Sequence, residues 1–114
     1  MKKLQIILRP DKLETLKELL TGLDVGGITV SSVMGCGIQK GDTGGEIRGL
    51  KVSNMNLLPK IQADIVVPDE AVEELLLTIH ENISTGRVGD GKVFVIDVQN
   101  AMRIRTGERG DNAI

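Results

Sequence analysis

"TGRVGDGKVFVIDV", residues 85–98, decides the fold. Its first half comes within one residue of a phosphate-binding P-loop: Gly86, four intervening residues, Gly91 and Lys92, then Val93 where the pattern requires Ser or Thr. A P-loop leaves a strand and opens a helix, so that phosphate sits on the helix N-terminus. Here the order is reversed, because a helical pattern ends ahead of Gly86 and the β-branched run "KVFVIDV" at 92–98 follows. Val93 also lacks the hydroxyl that would hold Mg²⁺. A Walker-type nucleotide hydrolase is rejected on these grounds. Read locally, the stretch is a glycine-rich helix-to-strand turn, with Gly86 as helix C-cap and "GDG" as a tight turn into a strand.

Outward from this turn the rest of the chain falls into alternating elements. Pro68-Asp69 starts the preceding helix, with Glu70, Glu73 and Glu74 in its first turn, where they favour the macrodipole. Val72, Leu75 or Leu76, Ile79 and Ile83 run down one side. "LPKIQADIVVP" at 58–68 alternates Ile61, Ala63 and Ile65 with Lys60, Gln62 and Asp64, as a strand requires. "LQIILR" at 4–9 is another strand, ending at Pro10. It leads into "DKLETLKELLTGL", an amphipathic helix with Asp11 as N-cap, Leu13, Leu16 and Leu20 on one face, and a break near Gly22. "GGITVSSVMGCG" at 26–37 completes the set as a strand. The order β-α-β-loop-β-α-β predicts an α+β, ferredoxin-like fold: an antiparallel sheet backed by two helices, one domain over residues 1–114.

Composition narrows the function. Hydrophobic residues make up 40% of the chain and aromatics 1%, Phe94 alone, so the core is aliphatic and an oligomer interface is expected to add stability. A formal charge of −2 argues against nucleic-acid binding. The early charges in "MKKLQIILRPDK" do not suit a signal peptide, and no apolar run approaches the ~20 residues of a membrane span. The expected compartment is cytoplasmic. Cys36 has no second cysteine to pair with, and His80, with no other His or Cys beside it, is expected at the surface rather than on a metal.

An anion site is nevertheless chemically credible. A second glycine cluster, "GCGIQKGDTGG" at 35–45, adds backbone donors. "MRIRTGERG" at 102–110 begins as an extended piece that places Arg103 and Arg105 on one side. The loop at 37–57 is rich in glycine, lacks hydrophobic periodicity and exceeds the ~12–15 residues beyond which structureless loops are usually functional or disordered. It is read as an interaction loop.

"GCGIQKG", "LPK", "IVVPDE", "TGRVGDGK", "VFVIDV" and "RIRTGERGDNAI", in this order and spacing, closely resemble the nitrogen-regulatory PII signal-transduction proteins, from Met1 to Ile114. The resemblance implies a homotrimer with ATP or ADP bound in clefts between neighbours. It also implies a projecting T-loop (37–57), a phosphate-holding B-loop (84–92) and a C-terminal loop (103–110) that closes the neighbour's site. It implies a sensor rather than an enzyme, reading ATP against ADP and, through Mg²⁺-ATP, 2-oxoglutarate. The implied targets are an ammonium channel or nitrogen-assimilation enzymes.

Carried over by position, Gly89, Asp90, Gly91 and Lys92 meet phosphates, with Arg103 and Arg105 as cationic partners. Gly35, Cys36 and Gly37 line the cleft beside Ile38, and Thr29, Asp64 and Val66 lie at adenine and ribose. Gln39 matches the Mg²⁺ ligand, and with Lys60 it would hold 2-oxoglutarate; Arg48 matches a channel-plugging arginine. The departures are a T-loop without the tyrosine that is uridylylated in enterobacterial members, Ile38 in place of a common arginine, and Asp64 in place of glutamate. An RNA-recognition module of the same element order would need aromatic residues on its central strands. A small ATPase or kinase would need a residue to position a nucleophile, and none stands out.

Overall fold

A computed structural model describes residues 1–36 and 57–114. Strand β1 (Lys2–Leu8) buries Leu4, Ile6 and Leu8, every second residue, and so presents one flat apolar face. Pro10 ends it. The chain then makes a 3-10 turn, Pro10–Lys12, before helix α1 (Leu13–Gly22). Asp11 therefore lies inside this turn and caps nothing with its side chain; the residue at the α1 N-cap is Lys12. The expected Asp11 cap fails because proline pre-sets a turn of its own ahead of the α-helix. α1 buries Leu16 and Leu20, with Leu13 half-buried beside them. It ends through Leu23, whose N–H donates to the carbonyls of Leu19 and Leu20, and through Asp24 in the left-handed region at φ 59°.

Strand β2 (Thr29–Gly35) starts three residues later than the sequence pattern suggested, the glycines ahead of it lying outside the ladder. Strand β3 (Leu58–Val67) buries Ala63, Ile65 and Val67. The turn Asp69–Ala71 leads into helix α2 (Val72–Ile83), which buries Val72, Leu75, Ile79 and Ile83, while Leu76 packs at the margin and His80 is exposed. α2 stops at Ser84, an extended C-cap whose N–H donates to the carbonyl of His80. Gly86, expected as the cap, lies two residues further on, within the loop, at φ +78°. Strand β4 (Gly91–Asp97) follows.

The sheet order is β2-β3-β1-β4 with every neighbouring pair antiparallel, the ferredoxin-like plan. Leu4 pairs with Ile65 and Val95, and Ile6 with Ala63 and Val93, which stacks the apolar positions on the helix-covered face. Each fully buried Leu or Ile contributes about 1.5–3 kcal/mol. Strand alternation assigns Gln5, Ile7, Gln62, Asp64, Val66, Phe94 and Ile96 to the opposite face, which no helix among the described residues covers. Phe94 is 46% exposed there, so the chain's one aromatic lies outside the core.

The segment after β4 is not the extended piece expected. Residues 104–106 turn, Met102 pairs with Arg109 in a one-rung antiparallel bridge, and the Gly107 N–H closes onto the carbonyl of Arg103 at 2.7 Å. Arg103 and Arg105 thus belong to a tight loop rather than to one face of a strand. The residues "RTGE" offer turn chemistry that outweighs the alternation of "MRIR".

Candidate functional site: a cationic glycine loop

The loop between α2 and β4 is shaped by three glycines at positive φ, Gly86 (+78°), Gly89 (+101°) and Gly91 (+108°). A Cβ on Gly91 would run into the backbone carbonyl oxygen of Ile7, so the close approach of β4 to β1 needs glycine at this position. At the hub is Asp90. Its carboxylate accepts from the Thr85 N–H at 2.7 Å, the Thr85 hydroxyl at 2.5 Å, the Gly86 N–H at 3.1 Å and Arg9 Nη1 at 3.2 Å. These donors, Thr85 first, hold its pKa below the usual aspartate range. Asp90 thus organises the loop from within, and its negative charge is matched by donors before any ligand arrives.

Two cations hold the tip of the loop from outside. Arg9 Nη2 donates to the Val88 carbonyl at 2.8 Å, and Lys60 Nζ donates to the Gly89 carbonyl at 2.7 Å. Beside the loop opens a cleft of about 570 Å³, lined by the expected Gly35, Cys36, Lys60, Gly89, Asp90, Gly91 and Lys92. Arg87 and Lys92 line it as well and make no ion pair among the described residues. Ile7, Leu58, Val88 and Phe94 add an apolar wall. Cationic side chains, glycine backbone and one already engaged carboxylate make a site for a polyanion with an apolar portion.

Three other expected residues gather elsewhere. Thr29 pairs in register with Asp64, and both line a second cleft of about 380 Å³ with Val66, Lys3, Gly27 and Ile114. The Asp64 carboxylate accepts from Gln62 Nε2 at 3.2 Å and lies 3.9 Å from Lys3 Nζ. Arg103 and Arg105 line neither cleft; Arg103 Nη1 is held by Glu108 Oε1 at 2.7 Å, which also accepts from the Thr106 hydroxyl at 2.9 Å. Gly37, Ile38, Gln39 and Arg48, with most of the loop at 37–57, lie outside the described residues. The structure also brings in residues that sequence reasoning missed. Arg9 acts across a sequence separation of 81, Arg87 stands inside the glycine loop, and Phe94 walls the cleft. A cation within the glycine run was a legible signal for Arg87. Nothing local marks Arg9.

A ferredoxin-like fold with a cationic glycine loop beside an uncovered sheet face defines a class of small α+β protein with a cleft suited to a polyanion. Residues 1–108 match the family profile of nitrogen regulatory protein P-II. The chain belongs to this family. It is 43% identical to nitrogen regulatory protein P-II of Haemophilus influenzae and 45% identical to nitrogen regulatory protein P-II 1 of Escherichia coli, each over 115 aligned positions and the full length of both chains. Among solved structures it is similar to the B. subtilis GlnK-ATP complex, with a TM-score of 0.80 and 34% identity over 99% of this chain and 94% of that one. No helix among the described residues is long and apolar enough to cross a membrane.

Proposed function

We propose that the chain is a homotrimeric sensor that binds ATP or ADP and regulates target proteins. The observation that carries this reading is the separation of two half-sites on one subunit: the cationic cleft around Gly89–Lys92, and the Thr29–Asp64–Val66 cleft across the sheet. A second copy applied through the uncovered sheet face and its edges would bring one against the other. Triphosphate would then lie on the glycine loop with Lys92, and adenine and ribose would meet Thr29, Asp64 and Val66 of the neighbour. Arg103 and Arg105 would reach the phosphates from the C-terminal loop once Arg103 leaves Glu108. The GlnK-ATP complex supports ATP as the ligand, since it shares the fold.

In this reading Gln39 would hold Mg²⁺, which would supply positive charge to offset the phosphates. 2-Oxoglutarate follows, held by Gln39 and by Lys60, whose ammonium lies at the glycine loop. The loop at 37–57, with Arg48, carries the signal to an ammonium channel or a nitrogen-assimilation enzyme; no tyrosine is present for uridylylation. The protein acts by binding and not by turnover, in the cytoplasm, without nucleic acid or membrane insertion. A regulator of another pathway that responds to nucleotide alone is the second reading, favoured by the Lys60 ammonium, which already donates to the Gly89 carbonyl at 2.7 Å.

Calorimetric titration with ATP, ADP and 2-oxoglutarate, with and without Mg²⁺, tests this alongside light scattering of the free chain. Saturable ATP binding by a trimer, and 2-oxoglutarate binding only after Mg²⁺-ATP, is the expected result. 2-Oxoglutarate binding to nucleotide-free protein would overturn the ordered mechanism, and steady phosphate release would restore the enzyme reading.

A further inference from the structure

The restraints on the glycine loop fall into two kinds. Those made by Ser84, Thr85, Gly86, Arg87 and Asp90 are internal and fix its shape. Its placement against the sheet comes from the start of β4 and from the two external cations, Lys60 and Arg9. Lys60 contributes one flexible ammonium. Arg9 contributes a rigid plane whose two terminal nitrogens reach two different points, Nη1 the Asp90 carboxylate and Nη2 the Val88 carbonyl. The same guanidinium lies against Gly89, where an added Cβ would come within 2.8 Å of Nη2. Arg9 itself is anchored between the last residue of β1 and Pro10, and its side chain is 28% exposed against 22% for Asp90. Among the described residues no hydrogen bond engages the N–H groups of Val88 and Gly89, the donors left for an anion. Arg9 engages the Val88 carbonyl, whose peptide carries the Gly89 N–H, and the Asp90 carboxylate one residue on.

We infer that Arg9 is a positioning residue for nucleotide binding: it sets the affinity of the glycine loop for a nucleoside polyphosphate by bracing Val88 and Asp90, without contacting the nucleotide. The inference rests on the nucleotide reading above and names a residue that this reading does not use. An unbraced loop keeps its donors but must be ordered when the ligand binds, and that entropy is subtracted from affinity.

ATP titration and stopped-flow ATP release on the full chain, with a thermal melt of each variant, provide the test. Arg9→Met, which keeps an unbranched stem and removes both donors, is expected to weaken ATP binding about tenfold, chiefly through faster release. Arg9→Lys should recover part of the loss, since one ammonium replaces one of two contacts. In the Asp90→Asn background Arg9→Met should cost less than in the parent, because the charge-assisted one of its two contacts is already weakened while the Val88 contact remains. Arg9→Met that binds ATP as the parent does, whether or not its melting temperature falls, overturns the inference. A fully additive double variant also overturns it, by placing Arg9 on the nucleotide. Should Arg9→Met fail to fold, Arg9→Lys decides alone: affinity equal to the parent's overturns the inference. A parent chain that binds no ATP removes the nucleotide reading instead, a result distinct from a parent that binds and variants that follow it unchanged.

Discussion

The loop at 84–92 and the loop at 101–110 use the same parts to opposite ends. Each turns on glycines at positive φ, each has a carboxylate at its hub, and each sets that carboxylate against an arginine and a threonine hydroxyl. In the first, the arginine comes from a distant strand end and Lys60 from another strand, so the loop is pinned to the sheet. In the second, Arg103, Thr106 and Glu108 satisfy one another within six residues, and the one-rung bridge Met102–Arg109 is the loop's one ladder among the described residues. A braced loop presents a preformed surface. A self-closed loop holds its shape at little cost and can hand its arginine to another acceptor by exchanging one ion pair.

Glycine substitutions should break this comparison most sharply. Gly91→Ala forces a methyl group into the Ile7 carbonyl and should destabilise the fold by about 3–5 kcal/mol, read from the urea unfolding midpoint. Gly107→Ala, at φ +78° with open space around it, should cost only the left-handed strain of about 1–2 kcal/mol. Equal losses would mean that the first loop is no more fixed than the second.

Nucleotide affinity separates the loops next. If the proposed ATP site is right, Lys92→Ala and Arg103→Ala should each weaken ATP binding about tenfold or more by removing a charge-assisted contact, without disturbing the proposed trimer. In the proposed trimer Lys92 belongs to one half-site and Arg103 to the loop offered to a neighbour. Subunits carrying one change, co-expressed with subunits carrying the other, should therefore regain a fraction of tight sites. No recovery in mixed trimers would place both residues in a single subunit's site.

Acid provides a smaller effect with a definite sign. The carboxyl of Asp90 is held below its usual range by Thr85, by the Gly86 N–H and by Arg9, so its contribution is fully present above the unfolded aspartate value. It is lost as pH falls through the lower folded value. Melting temperature should therefore stay level from neutral pH down to the usual aspartate range and fall below it, and Asp90→Asn should flatten part of that fall. A wild-type profile that Asp90→Asn leaves unchanged would remove Asp90 from the hub.

The smallest change is expected at Glu108. It pairs with Arg103 at side-chain exposures of 46% and 38%, where ion pairs are worth about 0.2–1 kcal/mol. Glu108→Gln should move the urea midpoint by no more than this. A larger loss would show that the C-terminal loop depends on its own carboxylate as strongly as the first loop depends on Asp90.

Element type, order and core were legible in the sequence where periodicity was long. The alternation of Ile61, Ala63 and Ile65 and the spacing of Val72, Leu75, Ile79 and Ile83 gave the buried faces directly, because pleat and helix repeat are local properties of the backbone. Gly89 to Lys92 of the first cleft were assigned through the resemblance to the PII proteins, whose motif is contiguous there. Caps were read less well. Asp11 and Gly86 each had suitable chemistry for a helix end, but the chain placed Lys12 and Ser84 there, since proline turns and the pull of Asp90 set where each helix begins and stops.

By itself, then, the sequence determined an aliphatic ferredoxin-like sheet and a glycine-rich turn from the second helix into the last strand. Hydrophobic spacing and backbone permissiveness are written residue by residue. Only the tertiary structure decided that Asp90 faces inward, that Arg9 and Lys60 hold the loop tip, and that Thr29, Asp64 and Val66 stand in a second cleft away from Lys92. Those facts depend on which strand ends meet, and the pairing of β1 between β3 and β4 brings together side chains as far as 81 residues apart. Spacing along the chain carries no trace of such a contact until the sheet has formed.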